Sequence, residues 1–283
     1  MQFRRIVAAT DDTETGHHSV LVASRIAARV GAPLDILTVL GSPTDSAIAT
    51  ATEDHEQWVR DAGLDASVHR ARAAVAYGLP GIEIPRYAEE QGGDLLVLGR
   101  QHRTRAERLV LGDTADAVAR RSRIPCLFIP THHDAISRVL VALDGTERGF
   151  RIMAPAADFA RAVSGRLRAV TVERLRADEP RTLSIHLPDE RSAKLSQAVD
   201  RLRLEEPVSY NLWEWPGEPA GGRVLRVRQG DVVEEVLLEI TSSAADVLVI
   251  GYHRGGPPGS LEAGSVCRRL AHSARCAVLT IPL

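Results

Sequence analysis

Arg5-Ile-Val-Ala-Ala-Thr-Asp11-Asp-Thr-Glu14 and Arg138-Val-Leu-Val-Ala-Leu-Asp144-Gly-Thr-Glu147 are two versions of one stretch, 133 residues apart. The same offset pairs Gly16 with Gly149, Ala23 with Ala156, Ala27 with Ala160 and Val39 with Val172. Further along, Asp94-Leu-Leu-Val-Leu-Gly99 matches Asp246-Val-Leu-Val-Ile-Gly251 at an offset of 152, which also pairs Gly78 with Gly230, Gly112 with Gly264 and Ile129-Pro130 with Ile281-Pro282. The offset grows by 19 between the two sets, so the second copy carries an insertion. Its place is the Pro-, Glu- and Arg-rich segment around 175–222. A repeat this long means two copies of one folding unit. They are expected at residues 1–131 and 138–283, joined by the short polar stretch Pro130–Ser137.

Each copy alternates strands with helices. Ile6–Thr10 is a continuous apolar run. Thr13 suits the cap of a following helix, whose apolar face is Val20, Ala23, Ala27 and Val30, and Gly31 ends it. Leu34–Leu40, Ala71–Ala76, Leu95–Leu98 and Pro125–Ile129 read as further strands. Asp45 to Arg60, Leu79 to Gln91 and Asp113 to Arg121 read as helices, with Pro85 an awkward interior residue. Pro155 falls inside the second copy's first helix and predicts a kink or a late start there. Five strands with short helical connections make a parallel sheet with helices on both faces. The fold class is therefore α/β: two repeated open five-stranded parallel-sheet domains.

Composition narrows the function classes. Across 283 residues, 44% are hydrophobic, and 35 basic side chains face 37 acidic ones. This is ordinary globular composition, without the basic excess of a nucleic-acid binder. No apolar run approaches a membrane span. Ile6–Ala9 is too short for the core of a signal peptide, and the three cysteines are few and odd in number, so the chain reads as cytoplasmic.

In a parallel sheet, ligands sit at the carboxyl ends of the strands, where strand order reverses. Three features fall at that edge in each copy. The first is the acid ending strand one, Asp11 or Asp144, which is suited either to a ribose or base contact or to a plain turn. The second is the glycine ending strand four, Gly99 or Gly251. The third is a later glycine, Gly112 or Gly264, that immediately precedes a helix, where backbone N–H groups attract anions. Ser265 adds a hydroxyl. No G-x-x-x-x-G-K-[ST] loop and no G-x-G-x-x-G after a strand occurs.

With these motifs in view, the chain resembles a tandem universal stress protein. That family's signature is Gly-x2-Gly-x9-Gly-[Ser/Thr] after a strand of the Asp-Leu-Ile-Val-Met-Gly type, with a first strand ending in Asp and a Gly-x-Pro before the third helix. Asp94–Gly99, Asp11 and Gly78-Leu79-Pro80 match in the first copy; Asp246–Gly251 and Asp144-Gly145-Thr146 match in the second. The resemblance implies an adenine-nucleotide α-hydrolase-like fold and a role in stress response rather than a defined reaction. It also implies ATP or another adenine nucleotide as ligand, with Mg accompanying ATP. The nucleotide would lie against Asp144, Val172, Gly251, Arg254, Gly264 and Ser265 in the second copy. The weaker equivalents in the first copy are Asp11, Val39, Gly99, Gly112 and Thr114.

Departures from the signature separate the copies. In the first copy, His102 stands for the second signature glycine and Asp113 for the Ser/Thr. A carboxylate there repels phosphate, so the first copy looks degenerate for ATP. Its loop carries Arg100, Arg103, Arg105 and Arg108, read as a solvated basic loop or as an anion or partner contact. In the second copy, Arg254 replaces the glycine but Gly264-Ser265 is intact, so the nucleotide is expected there. Arg254 either blocks phosphate or pairs with it.

Remaining motifs yield less. His17-His18 and His132-His133 read as exposed polar turns rather than a metal site. Cys126, Cys267 and Cys276 read as small buried hydrophobes. No G-x-S-x-G elbow exists, so no catalytic residue is assigned, and weak ATP hydrolysis is the most that is expected. Trp213 and Trp215 in the insertion suit either a partner surface or a cover for the core. The copies are expected to pack as an internal pseudo-dimer through Cys126–Ile129 and Ala277–Ile281. A further homodimer and an unidentified protein partner stay open. The alternative function is a scaffold or interaction module that has lost nucleotide binding.

Overall fold

The structure is a computed structural model that describes residues 3–11, 13–41, 45–61, 71–100, 113–173, 225–252 and 265–283. The first half runs β1 (Ile6–Thr10), α1 (Glu14–Val30), β2 (Leu34–Leu40), α2 (Asp45–Asp61), β3 (Ala71–Tyr77), α3 (Pro80–Glu90), β4 (Leu95–Arg100), α4 (Asp113–Arg121) and β5 (Cys126–Pro130). The second runs β6 (Arg138–Leu143), α5 (Glu147–Phe150), α6 (Met153–Ala162), β7 (Arg166–Glu173), β8 (Leu225–Gln229), α7 (Val232–Ser242), β9 (Val247–Tyr252), α8 (Ser265–Ser273) and β10 (Ala277–Pro282). The insertion with its tryptophans lies outside the described residues, as do Arg103, Arg105 and Arg108.

Local chemistry sets the boundaries. Thr13 caps α1 by accepting from the Gly16 N–H at 3.1 Å, and Gly31 closes the helix in the left-handed region at φ 70°. Pro85 is accommodated inside α3. In the second half the single helix of the first is broken into α5 and α6. Pro155 sits in the first turn of α6, where its missing N–H costs no intrahelical bond.

Within each half all strands are parallel, in the orders β3-β2-β1-β4-β5 and β8-β7-β6-β9-β10. The two five-stranded sheets are not separate bodies. β5 pairs antiparallel with β10, with Val278 opposite Phe128 and Leu279 opposite Leu127, so one ten-stranded sheet runs through the molecule. Two apolar layers line its faces, and both cross the join. One layer holds Ile6, Val97 and Leu127 with Val141, Val249 and Leu279, under α1 and α6. The other holds Val7, Leu96 and Phe128 with Leu140, Leu248 and Val278, under α3, α4, α7 and α8.

Polar contacts reinforce the join. The sequence reads Arg100 as part of a basic loop, either solvated or contacting an anion or a partner. Instead it ends β4, is only 3% exposed, and reaches into the other half. Its guanidinium donates to the carbonyl of Ala271 in the last turn of α8 and to those of Ala274 and Cys276 just beyond it, the last at 3.0 Å. A helix leaves its last carbonyls unpaired and carries negative potential there, so a cation is the natural partner. Burial pushes the Arg100 guanidinium down to about 10, which still leaves it charged near neutrality. The residue at the same position in the second half is Tyr252. It returns the contact, donating from its hydroxyl to Asp116 Oδ1 at 3.0 Å. Asp116 also faces Arg268, its own positional equivalent, at 3.6 Å. Phe3 meets Phe159 edge to face at 6.3 Å, and Arg25 pairs with Asp134 of the linker.

The aspartates that open β4 and β9 serve the opposite end of the sheet. Asp94 accepts from the Arg4 and Arg5 N–H groups. Asp246 accepts from Ser137 N and Arg138 N, and from the Arg138 guanidinium at 2.7 Å. Burial opposes ionisation of Asp246, but the Arg138 hydrogen bonds outweigh it and hold the carboxyl below the usual carboxylate range.

Two outcomes are expected. Arg100→Ala removes the donor shared by the Ala271, Ala274 and Cys276 carbonyls and lowers the unfolding free energy by about 3 kcal/mol, read by urea titration. Asp246 binds fewer protons folded than unfolded, so its contribution is complete above about pH 4 and lost as pH falls through the lower folded value. The stability gap between the native chain and Asp246→Asn therefore narrows on acidification from about pH 6 to pH 3. A gap that widens over that range contradicts the assignment.

Candidate functional site

Strand order reverses between β1 and β4, and again between β6 and β9, so each half has a crevice at the carboxyl ends of its strands. The first aspartate of each copy stands at that edge. Asp11 Oδ1 accepts from Thr13 Oγ1 at 2.6 Å and from Thr13 N at 3.3 Å. Asp144 Oδ1 accepts from Thr146 Oγ1 at 2.7 Å and from Thr146 N at 2.9 Å. One oxygen of each carboxylate thus closes the turn into the next helix, and the threonine then caps that helix. The other oxygen has no hydrogen bond among the described residues.

This arrangement dictates the glycine that follows. A Cβ on Gly16 would lie 2.7 Å from Thr10 Oγ1 and 2.8 Å from Asp11 Oδ1; one on Gly149 would collide with the Asp144 carboxylate. Gly99 serves the neighbouring approach, since a Cβ there would stand 2.7 Å from the Thr15 carbonyl oxygen of α1.

The crevices differ fivefold in volume. The first encloses about 350 Å³. Its walls include Thr10 and Asp11 at the end of β1, Thr15 in the first turn of α1, Val39 near the end of β2, Ile84 of α3, Leu98–Arg100 of β4, and Asp113–Ala115 opening α4. The second encloses about 70 Å³; among the described residues its wall is mostly apolar, with Asp144 the one acidic side chain. Substitutions at matched positions explain the difference. Thr10 becomes Leu143, Ala115 becomes Cys267 and Thr131 becomes Leu283. In the first half Thr131 is drawn aside by a 2.6 Å hydrogen bond to Thr15. In the second, Leu283 donates its N–H to the Tyr252 carbonyl and turns its side chain to the floor, so that a Cβ on Gly251 would lie 2.5 Å from Leu283 Cδ1.

Of the residues expected around a nucleotide, Asp144, Val172 and Gly251 do converge on the second crevice. Asp11, Val39, Gly99 and Thr114 converge on the first. Arg254, Gly264 and Gly112 lie outside the described residues, and Ser265 is placed only as the first residue of α8. Thr10, Thr15, Ile84 and Leu98 are wall residues that sequence reasoning passed over. Thr10 and Leu98 lie at or near strand ends, Thr15 in the first turn of α1, and Ile84 on the inward face of α3.

The other motifs resolve simply. His17 and His18 lie on α1, not in an exposed turn. His17 stacks on Trp58 with ring centroids 4.2 Å apart, and His18 contacts the His133 carbonyl. His133 Nε2 in turn lies 2.7 Å from the Asp246 carbonyl, tying the linker to the second half. Among the described residues no three metal-ligating side chains cluster. Burial raises the thiols of Cys126 to about 12 and of Cys267 and Cys276 to about 11, as expected for apolar filling. No helix among the described residues is long and apolar enough to cross a membrane.

Comparison with known proteins agrees with this architecture. The universal stress protein family model matches twice, over residues 2–130 and 135–282, and the chain belongs to that family. A universal stress protein of Methanocaldococcus jannaschii is 25% identical over 143 residues, spanning 45% of this chain and 82% of its own length. The crystal structure of a universal stress protein from Archaeoglobus fulgidus superposes on 100% of this chain and 99% of its own, with a TM-score of 0.73 at 18% identity. One from Pseudomonas aeruginosa covers 99% of this chain and 93% of its own, at TM-score 0.66 and 17% identity. The two-half fold is thus shared over its full length.

Gly16→Ala and Gly149→Ala each force the edge aspartate off its threonine and are expected to cost about 1–3 kcal/mol in thermal unfolding. Gly41→Ala is the control, with open space around its Cβ. Equal stability of all three variants would dissociate the glycines from the aspartate turn.

Proposed function

We propose that the chain is a stress-response regulatory protein that binds an adenine nucleoside or nucleotide in the first-half crevice. Family membership supports the stress role. One observation carries the placement: about 350 Å³ lies at the first switch point, against about 70 Å³ at the second. Small-molecule pockets run from about 300 to 1,000 Å³, so only the first has room without rearrangement. Val39, Ile84 and Leu98 offer an apolar seat for a base. The second oxygen of Asp11 and the Thr10 hydroxyl lie where a ribose would present its hydroxyls. The chain's residues here bind and orient a ligand, and nothing in the proposal requires a reaction.

This moves the preferred site away from the second half, whose glycine loop keeps more of the family signature. There the alternative reading is the better one. A crevice closed by Leu143, Cys267 and Leu283 suits a structural partner to the first half.

Calorimetry on nucleotide-stripped protein with adenosine, AMP, ADP and ATP, using Val39→Trp and its positional equivalent Val172→Trp, tests the placement. Both positions are half-buried at strand ends. Val39→Trp is expected to weaken binding at least about tenfold by filling the crevice, and Val172→Trp to leave it unchanged. Loss with Val172→Trp alone, or no heat with any adenine ligand, overturns the proposal.

A further inference from the structure

We propose that the first-half crevice prefers adenine nucleosides lacking a phosphate chain over ATP. This rests on the reading of the crevice as an adenine site and specifies the ligand class it takes. The opening of α4 forms one wall, where a helix N-terminus ordinarily receives phosphate through its free N–H groups and positive potential. Here the first turn of α4 already carries two acids, Asp113 and Asp116. Negative side chains at this position offset the helix potential that phosphate would use. Asp116 is itself neutralised, by Arg120 at 2.9 Å, Arg268 at 3.6 Å and the Tyr252 hydroxyl. Asp113 is exposed and has no ion-pair partner among the described residues, and it lines the crevice together with Asp11.

The one cation among the described wall residues does not compensate. The Arg100 guanidinium is committed across the join to the carbonyls of Ala271, Ala274 and Cys276. The described walls therefore present two carboxylates, two apolar strand ends and several hydroxyls, with no available positive charge. A neutral nucleoside satisfies such walls, whereas a phosphate placed at the opening of α4 meets the like charge of Asp113. At close range one such pair is worth about 1 kcal/mol even in bulk water, and several phosphate charges multiply it.

The test is a calorimetric series on the full chain with adenosine, AMP, ADP and ATP, repeated with Asp113→Ser and Asp113→Asn. Both substitutes are short and polar, and the position is exposed, so folding is preserved. Affinity is expected to fall along the series, with ATP at least about tenfold weaker than adenosine. Either substitution should raise ATP affinity about tenfold while changing adenosine less than about twofold. ATP binding as tightly as adenosine to the unaltered chain overturns the preference but leaves the adenine site standing, and so does ATP affinity unmoved by both substitutions. Failure of every adenine ligand removes the site and the preference together.

Discussion

The antiparallel pairing of β5 with β10 is the contact on which the rest depends. Each half alone would end in an open edge of Cys126–Pro130 or Ala277–Pro282, whose backbone groups must be paired or hydrated. Joining those edges gives one ten-stranded sheet and two apolar layers that run through both halves. It also brings Arg100 to the end of α8 and Tyr252 to α4. Like positions carry unlike residues: Arg100 and Tyr252 each reach across the join to different partners, and Asp116 faces its own equivalent, Arg268. Two identical halves would meet like charge against like charge at that last pair. Fusion into one chain makes that complementarity accessible.

The same divergence separates the two crevices. Once each half always meets the other, both need not keep the same opening. Leu143, Cys267 and Leu283 fill in one half what Thr10, Ala115 and Thr131 leave open in the other. The filled half gains packing. The open half keeps a turn aspartate, glycines that admit α1 closely, and a chamber of ligand size. In the proposed reading, ligand binding and structural support, which sequence reasoning weighed as rival functions for the whole molecule, fall to separate halves.

Much of this was legible beforehand for definite reasons. Buried parallel strands such as Leu95–Leu98 read as unbroken apolar runs, and the repeat offsets exposed the duplication. Pro155 announced the break between α5 and α6 because a first turn holds its ring without losing an intrahelical hydrogen bond. Arg100 was misread because its three acceptors lie more than 170 residues away. A strand-end arginine beside further arginines looks solvated until the other half is in place. The relative size of the crevices was hidden for a similar reason. The family motif reports glycines and a serine, whereas the volume is decided by Leu143 and Leu283, which lie outside that motif. Asp11 and Asp144 were open between turn and ligand roles; the structure assigns one oxygen of each to the turn.

The most direct measurement is a crystal structure of the full chain grown with adenosine. The account predicts the base between Val39, Ile84 and Leu98, the ribose beside Asp11, and Leu283 still covering Gly251 in the second half. Adenosine beside Asp144 with Leu283 displaced, and the first crevice empty, would contradict it.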